Sequence, residues 1–119
     1  MKRSKYNATK TVIDGIKFDS KKEAGRYSEL KLRERCRVIS NLELQPRYDV
    51  IVNGQKICYY KADFRYFDNE KGAEVVEDVK AMPKTAKAIK AFRGTGAWRI
   101  YRIKKKLVEA LYGIEIREV

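Results

Sequence analysis

Asp63, Asp78 and Lys80 lie in two stretches that otherwise read as core strands, "YYKADFRYF" and "VVEDVKA". Charges set among residues destined for burial are costly unless paired or bound to a metal, so these three ask for a task. The chain contains no histidine, which removes imidazole general-base chemistry and every imidazole metal site. Its two cysteines, Cys36 and Cys58, are too few for a structural zinc site and are expected to be reduced. What remains is carboxylate and lysine chemistry, with a hard cation such as Mg²⁺ or Mn²⁺ held by oxygen ligands.

Strand alternation arranges the charges. Val76, Asp78 and Lys80 share one face of a strand, and Val75, Glu77 and Val79 share the other. A hairpin turning about Glu70-Lys71 places Asp63 opposite Asp78, whereas a slip of one residue places it against Glu77. Lys80, on the Asp78 side, favours the first register. Two adjacent carboxylates repel, and a divalent cation is the simplest reason to keep them together. The competing reading is a cross-strand salt bridge between Asp63 and Lys80 on a solvated face. Glu77 reads as a structural or supporting acid. Tyr59, Tyr60 and Tyr66 read as core and cross-strand aromatics rather than base-stacking platforms.

The elements that would carry these groups follow from turn and cap signals. Asp14-Gly15 marks a small N-terminal hairpin, and Ser20 caps a helix over about residues 20–37. Glu23, three residues after Ser20, completes a capping box or points with Tyr27, Leu30 and Glu34 toward the sheet as a third acid. Strand-like stretches follow at about 42–52, 55–67 and 73–80, turned at Asn53-Gly54 and "DNEKG", with Pro46 bending or starting the first. Beyond Pro83 two helical stretches appear, the second with an apolar stripe of Ile100, Ile103, Leu107 and Leu111 that stops at Gly113. "FRGTGAW" reads as a flexible link that carries Trp98 to a ligand or buries it in the core. The closing "IEIREV" alternates like a strand.

At 119 residues the chain is long enough for one domain with a real core. We expect a basic arm at 1–11, with Lys2, Arg3, Lys5 and Lys10, and a single domain at 12–119. With 28 Lys and Arg against 16 Asp and Glu, the net charge of +12 in a chain that is 44% hydrophobic predicts a folded protein with a polyanionic partner. No apolar run is long enough for a membrane helix, which predicts a soluble cytoplasmic protein without a membrane partner. From Met82 to Val108 there is no acid, while Lys84, Lys87, Lys90, Arg93, Arg99, Arg102, Lys104, Lys105 and Lys106 accumulate. That segregation predicts phosphate contacts.

Asp63, the Asp78-Val79-Lys80 triplet after a hairpin, and Glu23 on the preceding helix together resemble the PD-(D/E)XK nuclease superfamily. More narrowly, "KYNATKTVIDGIKFDSKKEAGRY", "LELQPRYDV", "ADFRY", "VVEDVK" and "KKKLVEALYGIEIREV" resemble a family of small phage-encoded proteins of unknown function within it, related to phage Holliday-junction resolvases. Ala62 stands where the superfamily name has proline.

The resemblance implies an α/β, restriction-endonuclease-like core: helix, three-strand antiparallel meander, helix and strand, in a mixed sheet flanked by helices. It also implies an Mg²⁺- or Mn²⁺-dependent endonuclease acting on branched DNA such as four-way junctions, in host cytoplasm for a phage-encoded protein. Asp63, Asp78, the Val79 carbonyl and Glu23 would hold the metal, and Lys80 would orient or deprotonate water or clamp the phosphate. Gln45 in "LQPRY" resembles a polar residue near the site in relatives and is set among the DNA contacts. A homodimer would suit paired cuts across a junction. The reading from another class is a non-catalytic basic nucleic-acid-binding protein.

Overall fold

The computed structural model describes residues 10–80 and 83–119, so Lys2, Arg3 and Lys5 of the expected arm lie outside the described residues. The first strand, β1 (Thr11–Ile13), pairs with β2 (Ile16–Phe18) across Asp14-Gly15. This puts Thr11 in the hairpin and not in the arm. Both turn residues have positive φ, 53° and 75°, the mirror-image turn that matches strand twist. Helix α1 (Lys21–Arg35) is capped by Ser20 and buries Ala24, Tyr27 and Leu30 at a spacing of three. Tyr27 stacks on Phe18 with centroids 5.0 Å apart and donates to Asp14 Oδ2 at 3.0 Å, fastening the hairpin to the helix.

The three expected strands are five. The first breaks at Gln45-Pro46 into β3 (Ile39–Leu44) and β4 (Arg47–Val52), and the second breaks at Ala62-Asp63 into β5 (Gln55–Lys61) and β6 (Phe64–Asp68). Gln45 takes φ 51° and Pro46 cannot donate to a ladder, so the chain leaves one sheet and enters another. Both breaks are bridged by backbone bonds, Gln45 N to Asp63 O at 2.9 Å and Ala62 N to Pro46 O at 3.1 Å. Strands β4 and β5 thus form a separate hairpin about Asn53-Gly54.

The main sheet takes β7 (Ala73–Asp78) and β8 (Ile116–Glu118) in the order β3-β6-β7-β8, with β8 parallel to β7 and the other pairs antiparallel. Helix α1 covers one face, where Phe64, Tyr66 and Ile39 join Leu30 and Tyr27. The other face packs on α3 (Gly96–Tyr112) and the β4–β5 hairpin through Val76, Ile116, Tyr60, Val50 and Val108. The architecture is mixed α/β.

Helix α3 departs from the expected stripe. Ile100, Ile103 and Leu111 are 57%, 60% and 48% exposed, while Trp98 and Val108 are buried. Trp98 stacks between Phe92 and Tyr101, centroids 5.4 and 5.3 Å away, and Lys105 reaches Glu118 at 3.2 Å. Three stacked rings present more area than branched aliphatics and turn their own arc inward. "FRGTGAW" is a tight corner, since Gly94 ends α2 (Ala86–Arg93) and Thr95 caps α3 by accepting from Trp98 N at 3.3 Å.

Between α1 and the sheet sits one wholly buried charge. Glu77, 0% exposed, receives Arg26 through Nε at 2.8 Å and Nη2 at 2.6 Å, and also the Tyr66 hydroxyl. Burial pushes the Glu77 carboxyl up, but the bonds from Arg26 and Tyr66 overcome this and hold it below its usual 4.5. Its stabilisation is therefore present above that value and lost as pH falls through the lower folded pKa. Arg26→Ala leaves the carboxylate buried and unpaired, which should cost about 3 kcal/mol or more at neutral pH. Protonation of Glu77 should recover part of this loss, so urea denaturation is expected to show the gap between variant and parent narrowing on acidification; a gap independent of pH would sink the assignment.

Candidate active site

The β6–β7 register decides which acids meet. Phe64 pairs with Glu77 and Asp68 with Ala73, so the turn is centred on Glu70-Lys71. The ladder ends at Phe64 and Glu77: Asp63 N donates to Glu77 O at 3.0 Å, one residue out of that register, and Asp63 lies just beyond the ladder beside Asp78 in one cleft. A cleft of about 500 Å³ opens there, lined by Glu23, Asp63, Asp78, Val79 and Lys80. Its walls are the end of β5, through Tyr59, Tyr60 and Lys61, and α3, through Ile100, Tyr101 and Lys104.

Each aspartate is oriented by a donor. Asp63 Oδ2 accepts from the Val79 amide at 2.7 Å, and Asp78 Oδ2 accepts from the Tyr60 hydroxyl. Burial pushes Asp63 up to about 8; the Val79 bond opposes this, and the charge of Asp78, a hydrogen bond with it and the charge of Glu23 add to it. Burial, then Asp19 and Asp78, also raises Glu23. Burial and the Asp78 charge raise Tyr60, which keeps it a neutral donor. Ser20 caps the helix through the Glu23 amide at 3.1 Å, and the Glu23 side chain lines the cleft.

Lys80 is held from three sides. Its Nζ lies 3.4 Å from Asp78 Oδ1 and 3.8 Å from the centroid of the Tyr101 ring, a cation–π distance. Its amide donates to Val119 O at 3.0 Å, and its carbonyl accepts from Lys22 Nζ at 2.6 Å. The ammonium is thereby fixed beside the carboxylates. The Tyr101 hydroxyl is buried and makes no hydrogen bond among the described residues, although Glu118 lies near enough to help raise its pKa after burial and Asp78.

The donor set is of the kind that suits a hard divalent cation: an aspartate at the β5–β6 break, another at the end of β7, a glutamate in the same cleft, and no sulfur or imidazole. Among the described residues no group of three or more His, Cys, Asp and Glu is gathered closely enough to hold a metal ion. Mg²⁺ does not require such a group, because it is bound by one or two carboxylates and keeps water or substrate oxygens in its other positions.

The cleft unites Glu23, Asp63, Asp78, Val79, Lys80 and Lys104 of the expected residues. Lys80, Arg93 and Arg102 meet again in an adjoining cleft with Lys22. Gln45 lies exposed at the β3–β4 break, outside both. Lys84, Lys87, Lys90, Arg99 and Lys106 are exposed outside both clefts, and Lys105 pairs with Glu118. Tyr60 and Tyr66 are buried as expected, but Tyr59 is exposed at the cleft wall. Tyr60, Tyr101 and Lys22 were not read as site residues. The one signal for them was that a buried acid needs a donor from whatever packs against it.

The family model described as "Protein of unknown function (DUF1064)" matches residues 3–113, and the chain belongs to that family. No curated protein and no solved structure matches it. Among the described residues no helix is long and apolar enough to cross a membrane.

The raised Asp63 pKa makes a stability prediction. An acid near 3.8 unfolded and about 8 folded binds its proton more tightly in the folded state, so its contribution falls as pH rises across that window. Without added metal, Asp63→Asn should melt higher than the parent at pH 8, by about 4 °C or more, with little gain at pH 4. An equal shift at both pH values would show that Asp63 does not hold its proton more tightly in the folded state.

Proposed function

We propose that this protein is a metal-dependent endodeoxyribonuclease with a restriction-endonuclease-like core, acting on branched or structured DNA. The observation that carries this reading is the meeting of Asp63, at the β5–β6 break, and Asp78, at the end of β7, in one cleft with Lys80 and Glu23. The order α1, β3, β6, β7, α3, β8 supports it, the β4–β5 hairpin being an insertion between the first and second strands of the meander.

A bound Mg²⁺ or Mn²⁺ supplies Lewis-acid polarisation of a phosphodiester and a more acidic water. Asp63 and Asp78 would hold it, with Glu23 and the Val79 carbonyl completing the oxygen donors. Tyr60 and the Val79 amide fix the two aspartates, so little reorganisation is needed when charge develops. Lys80, kept in place by Asp78 and Tyr101, faces the charge that grows on the phosphate as water adds to phosphorus and the leaving oxygen departs. The exposed cations of α2 and α3 would bind flanking phosphates without reading sequence.

Supercoiled plasmid and synthetic four-way junctions, incubated with Mn²⁺ or Mg²⁺ and with chelator, test the reading. Cutting should require the metal, and Asp78→Asn should lose both metal affinity and most cleavage. Lys80→Ala should keep or tighten Mn²⁺ binding by calorimetry while losing most of the single-turnover rate. Glu77→Gln, whose side chain lies on the α1 face, should stay within about tenfold, equivalent to roughly 1.4 kcal/mol of barrier. Binding without cutting in any metal would leave a non-catalytic nucleic-acid-binding protein.

A further inference from the structure

Tyr59 is 45% exposed, yet it lies on the wall of the cleft that holds the acids. Strand β5 pairs with β4 alone, so its other edge is open among the described residues. Around the ring stand cations from three elements: Arg47 at 4.1 Å from its centroid, Lys56 at 5.9 Å and Lys104 at 6.0 Å. Asp49 engages Arg47 and Lys56 at 3.1 and 3.6 Å. Lys61 and Lys104, which line the cleft from β5 and α3, have no ion pair among the described residues. Ile100, also 57% exposed, joins the α3 wall.

This mixture selects between partners. The flank of an intact duplex offers a surface only phosphates and sugars, because its bases are stacked inside; an aromatic ring and an isoleucine gain little from it. An unpaired nucleotide offers a π-face to the ring and a phosphate to nearby ammonium groups. Arg47 on the tyrosine adds a planar cation that stacks equally well on a base.

We infer that Tyr59 is a stacking platform for an unpaired nucleobase, with Lys61 and Lys104 holding the adjoining phosphates, so that the cleft takes a single-stranded segment. This deepens the proposed nuclease reading, on which the link to cutting rests. A strand laid on Tyr59 runs on toward Asp63 and Asp78, and DNA with unpaired nucleotides beside the cut would be preferred over uninterrupted duplex.

The test is made in chelator, where nothing is cut. Binding of a labelled oligodeoxythymidylate and of a blunt duplex of equal length is compared for parent, Tyr59→Phe and Tyr59→Ala by fluorescence anisotropy. Tyr59→Ala should weaken the single strand about tenfold while changing the duplex less than about twofold, and Tyr59→Phe should bind like the parent. A 2-aminopurine placed in the oligonucleotide should be quenched by parent and Tyr59→Phe but not by Tyr59→Ala, a signal that loss of charge alone does not produce. Equal weakening of both ligands, or none, overturns the inference. Because the assay needs no cleavage, failure of the nuclease reading leaves its result standing, and a nuclease whose strand binding ignores Tyr59 loses only this inference.

Discussion

Everything near the cleft depends on the alternation of side chains along β7. Glu77 and Asp78 are neighbours in sequence, and the pleat sends them to opposite faces. Glu77 enters the layer under α1, where Arg26 and Tyr66 meet it; Asp78 enters the cleft, where Tyr60 and Lys80 meet it. A shift of one residue would exchange them, bringing an unpaired carboxylate under α1 and taking the second aspartate from the cleft. The Arg26–Glu77 pair therefore does more than hold a helix. It penalises the wrong register, a use of buried ion pairs that is better attested than net stabilisation.

The two sides of the strand carry opposite electrostatic signs of strain. Under α1 the carboxylate is matched by a guanidinium, and its proton is held less tightly than in water. In the cleft, burial first and then the charges of Asp78 and Glu23 make Asp63 hold its proton more tightly. Such a site is destabilising by itself. The fold tolerates it because both β6 and β7 are anchored elsewhere: β7 by the parallel pairing with β8, and β6 by its central position and the burial of Phe64 and Tyr66.

Much of this was legible from residue order. Asp-Gly and Asn-Gly specify turns with two positive φ angles, and few other pairs accept them, so both hairpins could be placed to the residue. The "DNEKG" turn left two registers open, and Lys80, on the Asp78 side, favoured the one that brings Asp63 to Asp78. Pro46 marked a bend or start of the first strand, but the change of sheet there and the break at Ala62-Asp63 were not legible, because both are bridged by backbone bonds between residues distant in sequence. Nor was the facing of α3. Its isoleucines satisfy helical periodicity, but Trp98, Tyr101 and Val108 satisfy it one step round, and the choice between them lies in the partners, Phe92, Tyr60 and the β4–β5 hairpin. Glu23 showed the limit of motif reading, since its amide serves the cap while its side chain serves the cleft.

The charge distribution also explains why carboxylates sit at the centre of a basic protein. A net charge of +12 draws a polyanion from a distance, but within the screening length local groups dominate. At the base of the cleft those groups are Asp63, Asp78 and Glu23, which repel a phosphate; at its rim are Lys61 and Lys104, which attract one. On the proposed reading, a strand held by the rim would meet a local barrier where the acids converge. Lys80 offsets one of the negative charges, being already engaged with Asp78. The rest must be met by protons, as the raised Asp63 pKa expresses, or by a cation of higher charge. A proton neutralises a carboxylate without attracting a phosphate, whereas a divalent ion does both, so strand binding at the base and metal binding are expected to be mutually reinforcing.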